Sequence, residues 1–323
     1  MKKIIIPFLA VAALASCQKS FVGPDAGQEP AGETVNLTVS VPTADTKLVD
    51  VSGESDVKNL QVYVFGTGGN IEKYASAEGG SVNIICTTGA KKIAALVNGR
   101  PLEVFTLTQL NDSRSSLSDN AAGNLVMFGC VAKELSADES VNIPVKRLAS
   151  KIVLKSVRTD FALQQHKNLD FVVKNIYLQN VAGDCALASL SGSPALWFNK
   201  MALEADCLPV LADTGLEQKI EDGVLYDTAH SFYCYPNGTA VDVSGGEWCP
   251  RYTRLVVEAT LGGTVYFYPV SIPNVESNKV YSVSLTVTQT GSSDPDKSDF
   301  DVEHGFSVTV DDWAATVDIT ETI

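Results

Sequence analysis

A period-two alternation of apolar and polar residues recurs along this chain, and it constrains the fold more than any other feature. The alternation is cleanest in Val35–Val41, which Pro42 stops. Residues 35–158 contain about eight strand-like segments at short spacing and at most one short helical pattern, at 101–120. Many short strands in close succession are typical of a β-sandwich, so the sequence predicts an all-β fold.

A second series of strands is predicted at Phe171–Val181, Ser231–Tyr235, Arg254–Thr260, Thr264–Tyr268 and Tyr281–Thr288. Residues 183–230 are rich in Gly, Ser, Pro and Asp and are expected to form loops, and Pro269 and Pro273 are expected to bracket a bent segment, Val270–Ile272. The polar residues His166-Lys167-Asn168 lie between the two series. The sequence therefore predicts two tandem sandwiches, an N-terminal one at 48–165 and a C-terminal one at 166–323.

The chain ends in a further alternating stretch, GFSVTVDDWAATVDITETI, at 305–323. Asp311-Asp312 interrupts the alternation, which then resumes with Val317, Ile319 and Ile323 on one face and Thr and Asp on the other. An apolar strand of this kind must pair, because an unpaired edge invites association. Two interpretations stay open: it is the last strand of its own sandwich, or it is offered to another chain by strand addition.

The N-terminus has the organisation of a bacterial lipoprotein signal peptide. Lys2-Lys3 is followed by an apolar run, Ile4–Ala13, and by the residues LASC, which resemble a lipobox. The resemblance predicts a signal peptide at 1–16, cleavage between Ser16 and Cys17, and a lipid on the Cys17 thiol. The apolar run is too short for a transmembrane helix, so anchoring through lipid is favoured. The alternative is a plain secretory signal in which the cysteine is incidental.

Composition narrows the classes of function. The 323 residues are 45% hydrophobic and 19% charged, which is compatible with packed domains. The formal net charge of −14 argues against a nucleic-acid partner, which requires a basic surface. The six cysteines after the lipobox form no CxxC motif, so a zinc site is not predicted. They are expected to be mostly buried, with Cys234–Cys249 the favoured pair if a disulfide forms.

Catalytic motifs are absent from the sequence, which predicts neither an enzyme nor a bound cofactor or metal. The three histidines, His166, His230 and His304, are expected on the surface or in loops. The acidic residues between Asp294 and Glu303 lack the spacing of an EF-hand and are expected to form a solvated loop. Four aromatic residues could form a sugar-stacking platform, but aromatic residues on sandwich strands are more often core; these are Trp197, Trp248, Tyr233 and Tyr235.

Several segments, taken in order, resemble the fimbrillins of Bacteroidetes, the FimA- and Mfa1-like subunits of type V pili. The segment VNIPVKRLASKIVL at 141–154 is the most recognisable, with Arg147 and Lys151 between strand residues. The others are KNLQVYVFGTGGNIEKY (58–74), CTTGAKKIAALVNG (86–99), NIYLQNV (175–181), YFYPVSIP (266–273), NKVYSVSLTVTQTGSSDPD (278–296) and VTVDDWAATVDITETI (308–323).

The resemblance implies two transthyretin-like β-sandwiches and a route of assembly. The precursor would reach the outer membrane as a lipoprotein, and a trypsin-like protease would remove the lipidated N-terminus with its first strand. No arginine precedes Arg100, and Lys47 is the only basic residue between Lys19 and Lys58. The implied propeptide is therefore 17–47, with cleavage between Lys47 and Leu48.

A strand from a neighbouring subunit would then fill the open groove, and the implied donor residues are Val317, Ile319 and Ile323. Implied partners are other copies of the chain, other fimbrial subunits, the outer membrane through the lipid, and a host or bacterial surface receptor. The expected function is that of a shaft subunit of an extracellular fimbrium. The alternatives are a tip or anchor subunit, and a lipid-anchored surface lipoprotein that binds glycans.

Overall fold

The computed structural model describes residues 17–19, 32–42, 53–188, 193–297 and 305–313. The strands up to residue 149 are β1 (Cys17–Lys19), β2 (Thr34–Ser40), β3 (Asn59–Phe65), β4 (Ile71–Glu78), β5 (Ser81–Thr87), β6 (Gly89–Val97), β7 (Arg114–Ser116), β8 (Met127–Leu135), β9 (Glu139–Asn142) and β10 (Lys146–Arg147). The later strands are β11 (Ser150–Thr159), β12 (Phe171–Gln179), β13 (Val181–Ala182), β14 (Asp184–Ala186), β15 (Trp197–Phe198), β16 (Ala212–Ile220), β17 (Leu225–Tyr226), β18 (His230–Cys234), β19 (Thr253–Leu261), β20 (Thr264–Ile272), β21 (Lys279–Val287) and β22 (Gly305–Asp312). The described α-helices are α1 (Leu107–Asp112) and α2 (Gln164–Lys167).

Two sheets enclose the first core. A six-stranded sheet has the order β1-β4-β3-β6-β8-β10, and a three-stranded sheet has the order β5-β2-β9. Apolar residues from both sheets form one buried cluster, which includes Leu37 and Val39 of β2 and Leu60 and Val62 of β3. The predicted all-β class and sandwich architecture are confirmed. Helix α1 lies within the predicted helical stretch and begins at a capping box between Thr106 and Gln109.

Strand β3 is apolar on both faces because its sheet is covered on both sides. Leu60, Val62 and Val64 face the first core, whereas Tyr63 and Phe65 belong to a larger cluster that extends through the second half of the chain. A strand buried on both faces reads as a nearly continuous apolar run, as in LQVYVF. The six-stranded sheet therefore packs against both cores, one on each face.

The second core lies between a sheet of order β17-β11-β21-β22, with β18 also paired to β11, and a sheet of order β16-β12-β19-β20. Strand β11 pairs in parallel with β21 and antiparallel with β18. The sequence predicted Ile152–Val157 as a strand of the N-terminal sandwich, but its hydrogen bonds place it with the later strands. The domain limits at 165 and 166 stay a prediction.

Two long strands, β4 and β16, were not predicted, and neither were several strands of two or three residues, among them β14, β15 and β17 in the stretch expected to form loops. Strand β4 and strand β16 carry mostly half-buried or exposed polar residues, so their alternation is weak, but each pairs along a more apolar neighbour. The segment Val270–Ile272 was expected to follow the strand as a bent segment, but it is part of β20, which runs through Pro269 to Ile272. Strand β20 lies at the edge of its sheet, where a proline is tolerated because one side of the strand needs no partner.

The acidic loop after β21 is not fully solvated. Asp296 is only 1% exposed and forms ion pairs with Arg251 and Arg254, both fully buried. Its carboxylate also accepts a hydrogen bond from the backbone N–H of Gly245 at 2.8 Å, and Arg254 pairs with Asp242 at 2.8 Å. A buried carboxylate requires charged and hydrogen-bonding partners, and this cluster supplies them to Asp296. The same contacts join two loops to the sheet of β19.

The favoured cysteine pair and one histidine differ from expectation. The six cysteines after the lipobox are free, and the favoured Cys234–Cys249 disulfide is not formed. Burial raises the pKa of the Cys234 thiol to about 12, because the thiolate would lie in apolar surroundings. His230 was expected at the surface but is 7% exposed, and it contacts the Tyr226 hydroxyl at 2.8 Å and Asp213 at 2.7 Å.

Replacing Asp296 by Ala should destabilise the second core by about 3–5 kcal/mol, because two buried guanidinium groups lose their shared carboxylate. The measurement is the free energy of unfolding in urea. Asp227→Ala, which removes an exposed carboxylate, is the control and should change stability by less than about 0.5 kcal/mol. Equal effects of the two substitutions would show that the cluster does not stabilise the fold.

Candidate functional site

The candidate site is the slot that β2 occupies in the three-stranded sheet. Strand β2 lies between β5, to which it is antiparallel, and β9, to which it is parallel. Seven residues pair with β5, from Thr34 opposite Thr87 to Ser40 opposite Ser81. A strand taken from this position would leave one unpaired row of backbone groups on each neighbour, and buried backbone groups require partners.

The inward side chains of β2 fill the slot. Val35, Leu37, Val39 and Val41 are 4%, 1%, 0% and 5% exposed. Burial of one such side chain stabilises the fold by roughly 1.5–3 kcal/mol. The predicted strand at Val35–Val41 is therefore confirmed as an element of the core, and it is a central strand of its sheet.

Polar groups on the outer face of β2 meet two side chains on the rim of the slot. The Asp138 carboxylate accepts hydrogen bonds from the Asn36 backbone N–H at 2.7 Å and from the Asn36 side-chain amide at 2.9 Å. These two bonds hold the pKa of Asp138 below its ordinary value, because they favour the ionised form. On the opposite side, the Thr38 hydroxyl donates to Asn83 Oδ1 at 2.8 Å.

The predicted processing sites flank β2 in the sequence. Strand β1 pairs antiparallel with β4, with Cys17 opposite Ser76, so the backbone of the predicted lipid-bearing residue lies at the edge of the six-stranded sheet. Ser16, Lys47 and Leu48 lie outside the described residues. Both β1 and β2 precede the predicted cleavage point at Lys47 in the sequence.

The C-terminal stretch is described as far as Trp313. Strand β22 pairs along the outer edge of β21, and Val310 is 53% exposed. Trp313 is buried; its ring stacks on Tyr233 with centroids 5.9 Å apart, and the Arg147 guanidinium lies over it at 4.7 Å. The predicted donor residues Val317, Ile319 and Ile323 lie outside the described residues.

A buried polar cluster joins the base of the C-terminal stretch to the chain just after the predicted cleavage point. Arg147 donates to the carbonyl oxygens of Trp313 and Glu54, at 3.0 and 3.2 Å. The Glu54 carboxylate, 2% exposed, pairs with Lys151 at 2.7 Å and accepts a hydrogen bond from the Tyr233 hydroxyl at 2.5 Å. The sequence drew attention to Arg147 and Lys151 but did not indicate their partners, which are distant along the chain.

The aromatic residues do not form an open platform. Tyr233 and Tyr235 are 3% and 0% exposed, and the buried Trp197 ring packs edge-on against Trp248 at 5.5 Å. The described part of the chain contains no group of three or more His, Cys, Asp or Glu side chains arranged to hold a metal ion. Among the same residues, no helix is long and apolar enough to cross a membrane.

Comparison with known families gives a match over the part of the chain that contains the slot. The model of the major fimbrial subunit protein family (FimA) matches residues 34–155, from the first residue of β2 into β11. The matched stretch, residues 34–155, is thus similar to FimA fimbrial subunits. The model of the prokaryotic membrane lipoprotein lipid attachment site matches residues 1–18. Together these matches fit a membrane-anchored precursor of an extracellular fimbrium, as the sequence predicted.

Solved structures share the fold of this chain along most of its length. A fimbrilin (FimA) from Porphyromonas gingivalis W83 is 17% identical, with a TM-score of 0.64 over 87% of this chain and 98% of its own. A proposed cell adhesion protein from Bacteroides eggerthii is 20% identical, with a TM-score of 0.66 over 89% and 98%. The tip fimbrial protein Mfa3 from Porphyromonas gingivalis is 13% identical, with a TM-score of 0.55 over 87% and 100%. No curated protein sequence matches the chain.

Leu37→Ala should destabilise the first core by about 2–5 kcal/mol, because a fully buried side chain of β2 is lost and leaves a cavity. Ile85→Ala on the neighbouring β5 is the matched control, since this side chain is 47% exposed on the opposite face. Urea unfolding of both variants gives the comparison. A loss no larger than that of the control would contradict the placement of β2 in the core.

The stability that the Asp138–Asn36 hydrogen bonds give to the place of β2 should decrease in acid. The pKa of Asp138 is lowered in the fold from its ordinary value of 3.8, so its contribution is present above 3.8 and is lost as the pH falls through the lowered pKa. Asp138→Asn should therefore lose less stability than the unmodified protein between about pH 4 and pH 2. Urea midpoints across this range provide the measurement, and identical pH slopes would contradict the assignment.

Proposed function

We propose that this chain is a structural subunit of an extracellular fimbrium that polymerises by proteolysis-triggered exchange of β2. The supporting observation is that β2 lies centrally in its sheet and contributes four buried side chains, yet precedes the predicted cleavage site at Lys47 in the sequence. A protease that cuts at Lys47 would detach from the covalent chain a strand on which the first core depends.

The vacated slot would require a replacement strand. Strands β5 and β9 would each have an unpaired backbone row, and the first core would be open to water. An unsatisfied buried polar group costs about 1–3 kcal/mol, so several such groups favour uptake of a new strand. While β2 is in place, its two neighbours are paired and no strand can enter. Assembly would therefore begin only after cleavage.

The proposed donor is the segment 314–323 of another copy. Its ten residues follow Trp313, whose buried ring and backbone contacts hold the base of the segment on its own subunit. Fully extended, ten residues span about 33 Å, whereas the seven residues of β2 span about 23 Å. The donor segment is thus long enough to fill the slot. Donor and slot are different surfaces, so the contact is heterologous and generates an open filament.

Within this function we assign the chain to the shaft. A shaft subunit needs both an acceptor slot and a donor segment, and the place of β2 and the segment 314–323 are the candidates for these two roles. The lipidated precursor would be held at the outer membrane through Cys17, and cleavage would release the subunit from its lipid. No catalytic role is proposed.

Lysine-specific limited proteolysis of the lipid-free precursor should produce SDS-resistant ladders of subunits whose N-terminus is Leu48. Lys47→Ala should abolish both the new N-terminus and the ladder, because the next lysine, Lys58, directly precedes β3. Lys58→Ala is the control and should polymerise normally. The measurements are gel electrophoresis without heating and mass spectrometry of the N-terminus.

The donor is tested in the same assay. Val317→Asp/Ile319→Asp should block the ladder while leaving cleavage intact, because buried carboxylates would lack partners in the slot. Thr322→Asp, which changes the opposite face of the segment, is the control for added charge. Cleaved protein that stays monomeric, or a ladder unaffected by the double substitution, would overturn the proposed function.

A further inference from the structure

The rim of the slot carries two side chains of different hydrogen-bonding capacity. Asp138 accepts two bonds from Asn36, and Asn83 accepts one from Thr38. An ionised carboxylate can only accept, so Asp138 suits a residue that donates and disfavours another carboxylate. A side-chain amide can accept or donate, so Asn83 suits either a hydroxyl or a carboxylate.

The proposed donor segment has a matching asymmetry in its sequence. Its inward parity is Ala315, Val317, Ile319, Glu321 and Ile323, and its outward parity is Ala314, Thr316, Asp318, Thr320 and Thr322. The two deepest places in the slot are those of Leu37 and Val39, at 1% and 0% exposure. An unpaired carboxylate in these two places has a large desolvation cost, so Glu321 is placed at an end of the slot, in the place of Val35 or Val41, at 4% and 5% exposure.

The outward face of the segment meets the rim in the same way whether the segment runs parallel or antiparallel to the direction of β2. With Val317 and Ile319 in the two deepest places, the residue beside Asp138 is Thr316 if the segment runs as β2 does. If the segment runs the opposite way, that residue is Thr320. In both directions, Asp318 takes the place of Thr38 beside Asn83. A threonine hydroxyl then donates to the carboxylate on one rim, and the Asn83 amide donates to Asp318 on the other.

A two-residue slip disturbs this match. In each direction, one of the two possible slips places Asp318 directly beside Asp138, where like charges repel. The other slip of a segment running opposite to β2 puts Glu321 in the place of Leu37. The other slip of a segment running as β2 does requires Trp313 to leave its buried contacts with Arg147 and Tyr233.

We propose that Asp138 and Asn83 select the register of the incoming strand, by accepting a threonine hydroxyl and by binding Asp318. This inference rests on the proposed function and concerns the same slot. It makes the outer face of the slot a determinant of specificity for a second copy of this chain, in addition to the apolar pockets inside.

The test uses the lipid-free precursor carrying Val317→Asp/Ile319→Asp, so that it cannot donate, cleaved in the folded state by the lysine protease. A fluorescent peptide of residues 314–323 is titrated into it, and anisotropy reports binding. The same peptide carrying Thr316→Asp and Thr320→Asp presents a carboxylate to Asp138 in either direction. It should bind about fivefold or more weakly.

The loss of affinity of the substituted peptide should largely disappear on an acceptor that also carries Asp138→Asn. It should persist on an acceptor carrying Glu134→Gln, the control at an exposed carboxylate of β8. The two single peptide substitutions then identify the direction of the strand, because only the threonine beside Asp138 should matter. Thermal unfolding before cleavage checks that the acceptors fold alike.

Two results would contradict different parts of the argument. If the unmodified peptide fails to bind any cleaved acceptor, the proposed function fails and the register inference fails with it. If that peptide binds, but the doubly substituted peptide loses the same affinity on the Asp138→Asn and unmodified acceptors, strand uptake stands and the role of Asp138 is overturned.

Discussion

The two rows of backbone hydrogen bonds that hold β2 between β5 and β9 are the interaction on which the rest of the structure depends. A central strand completes both neighbours at once and closes the first core with four apolar side chains. An edge strand in the same sheet would leave only one neighbour unpaired on departure. The central position therefore makes loss of β2 costly to the fold and makes a replacement strand strongly favourable.

A second feature is the buried contact between the region of Glu54 and the C-terminal stretch at Trp313. Glu54 lies shortly after the predicted cleavage point, and Trp313 lies just before the proposed donor segment. Arg147 bonds to the backbone of both, and Lys151 pairs with Glu54 in the same buried region. Since removal of one partner from such a buried cluster leaves an uncompensated charge, the cluster resists local opening. It also holds Trp313, the residue before the proposed donor segment, in a fixed place on its own subunit.

How much was predictable differs from residue to residue. The clean alternation of Val35–Val41 predicted a half-buried strand, and the structure confirms each buried position. The polar strand β16 was missed because its pattern reflects an edge position rather than a core face. Asp296 was expected in water, because nothing near it in sequence signals that Arg251 and Arg254 are buried beside it. The contacts of Asp138 and Asn83 with β2 likewise depend on segments brought together from distant parts of the chain.

The sequence by itself determined that the chain is all-β, that it begins with a lipoprotein signal, and that it ends in an alternating apolar stretch. These properties are local, because a period-two alternation and an apolar leader are both patterns of consecutive residues. Only the tertiary structure decided that β2 is central, that β11 joins the later strands, and that Glu54 and Asp296 are buried with their cationic partners. Strand pairing uses backbone groups that every residue except proline shares, so the side-chain pattern can say that a strand exists without saying which strand lies beside it.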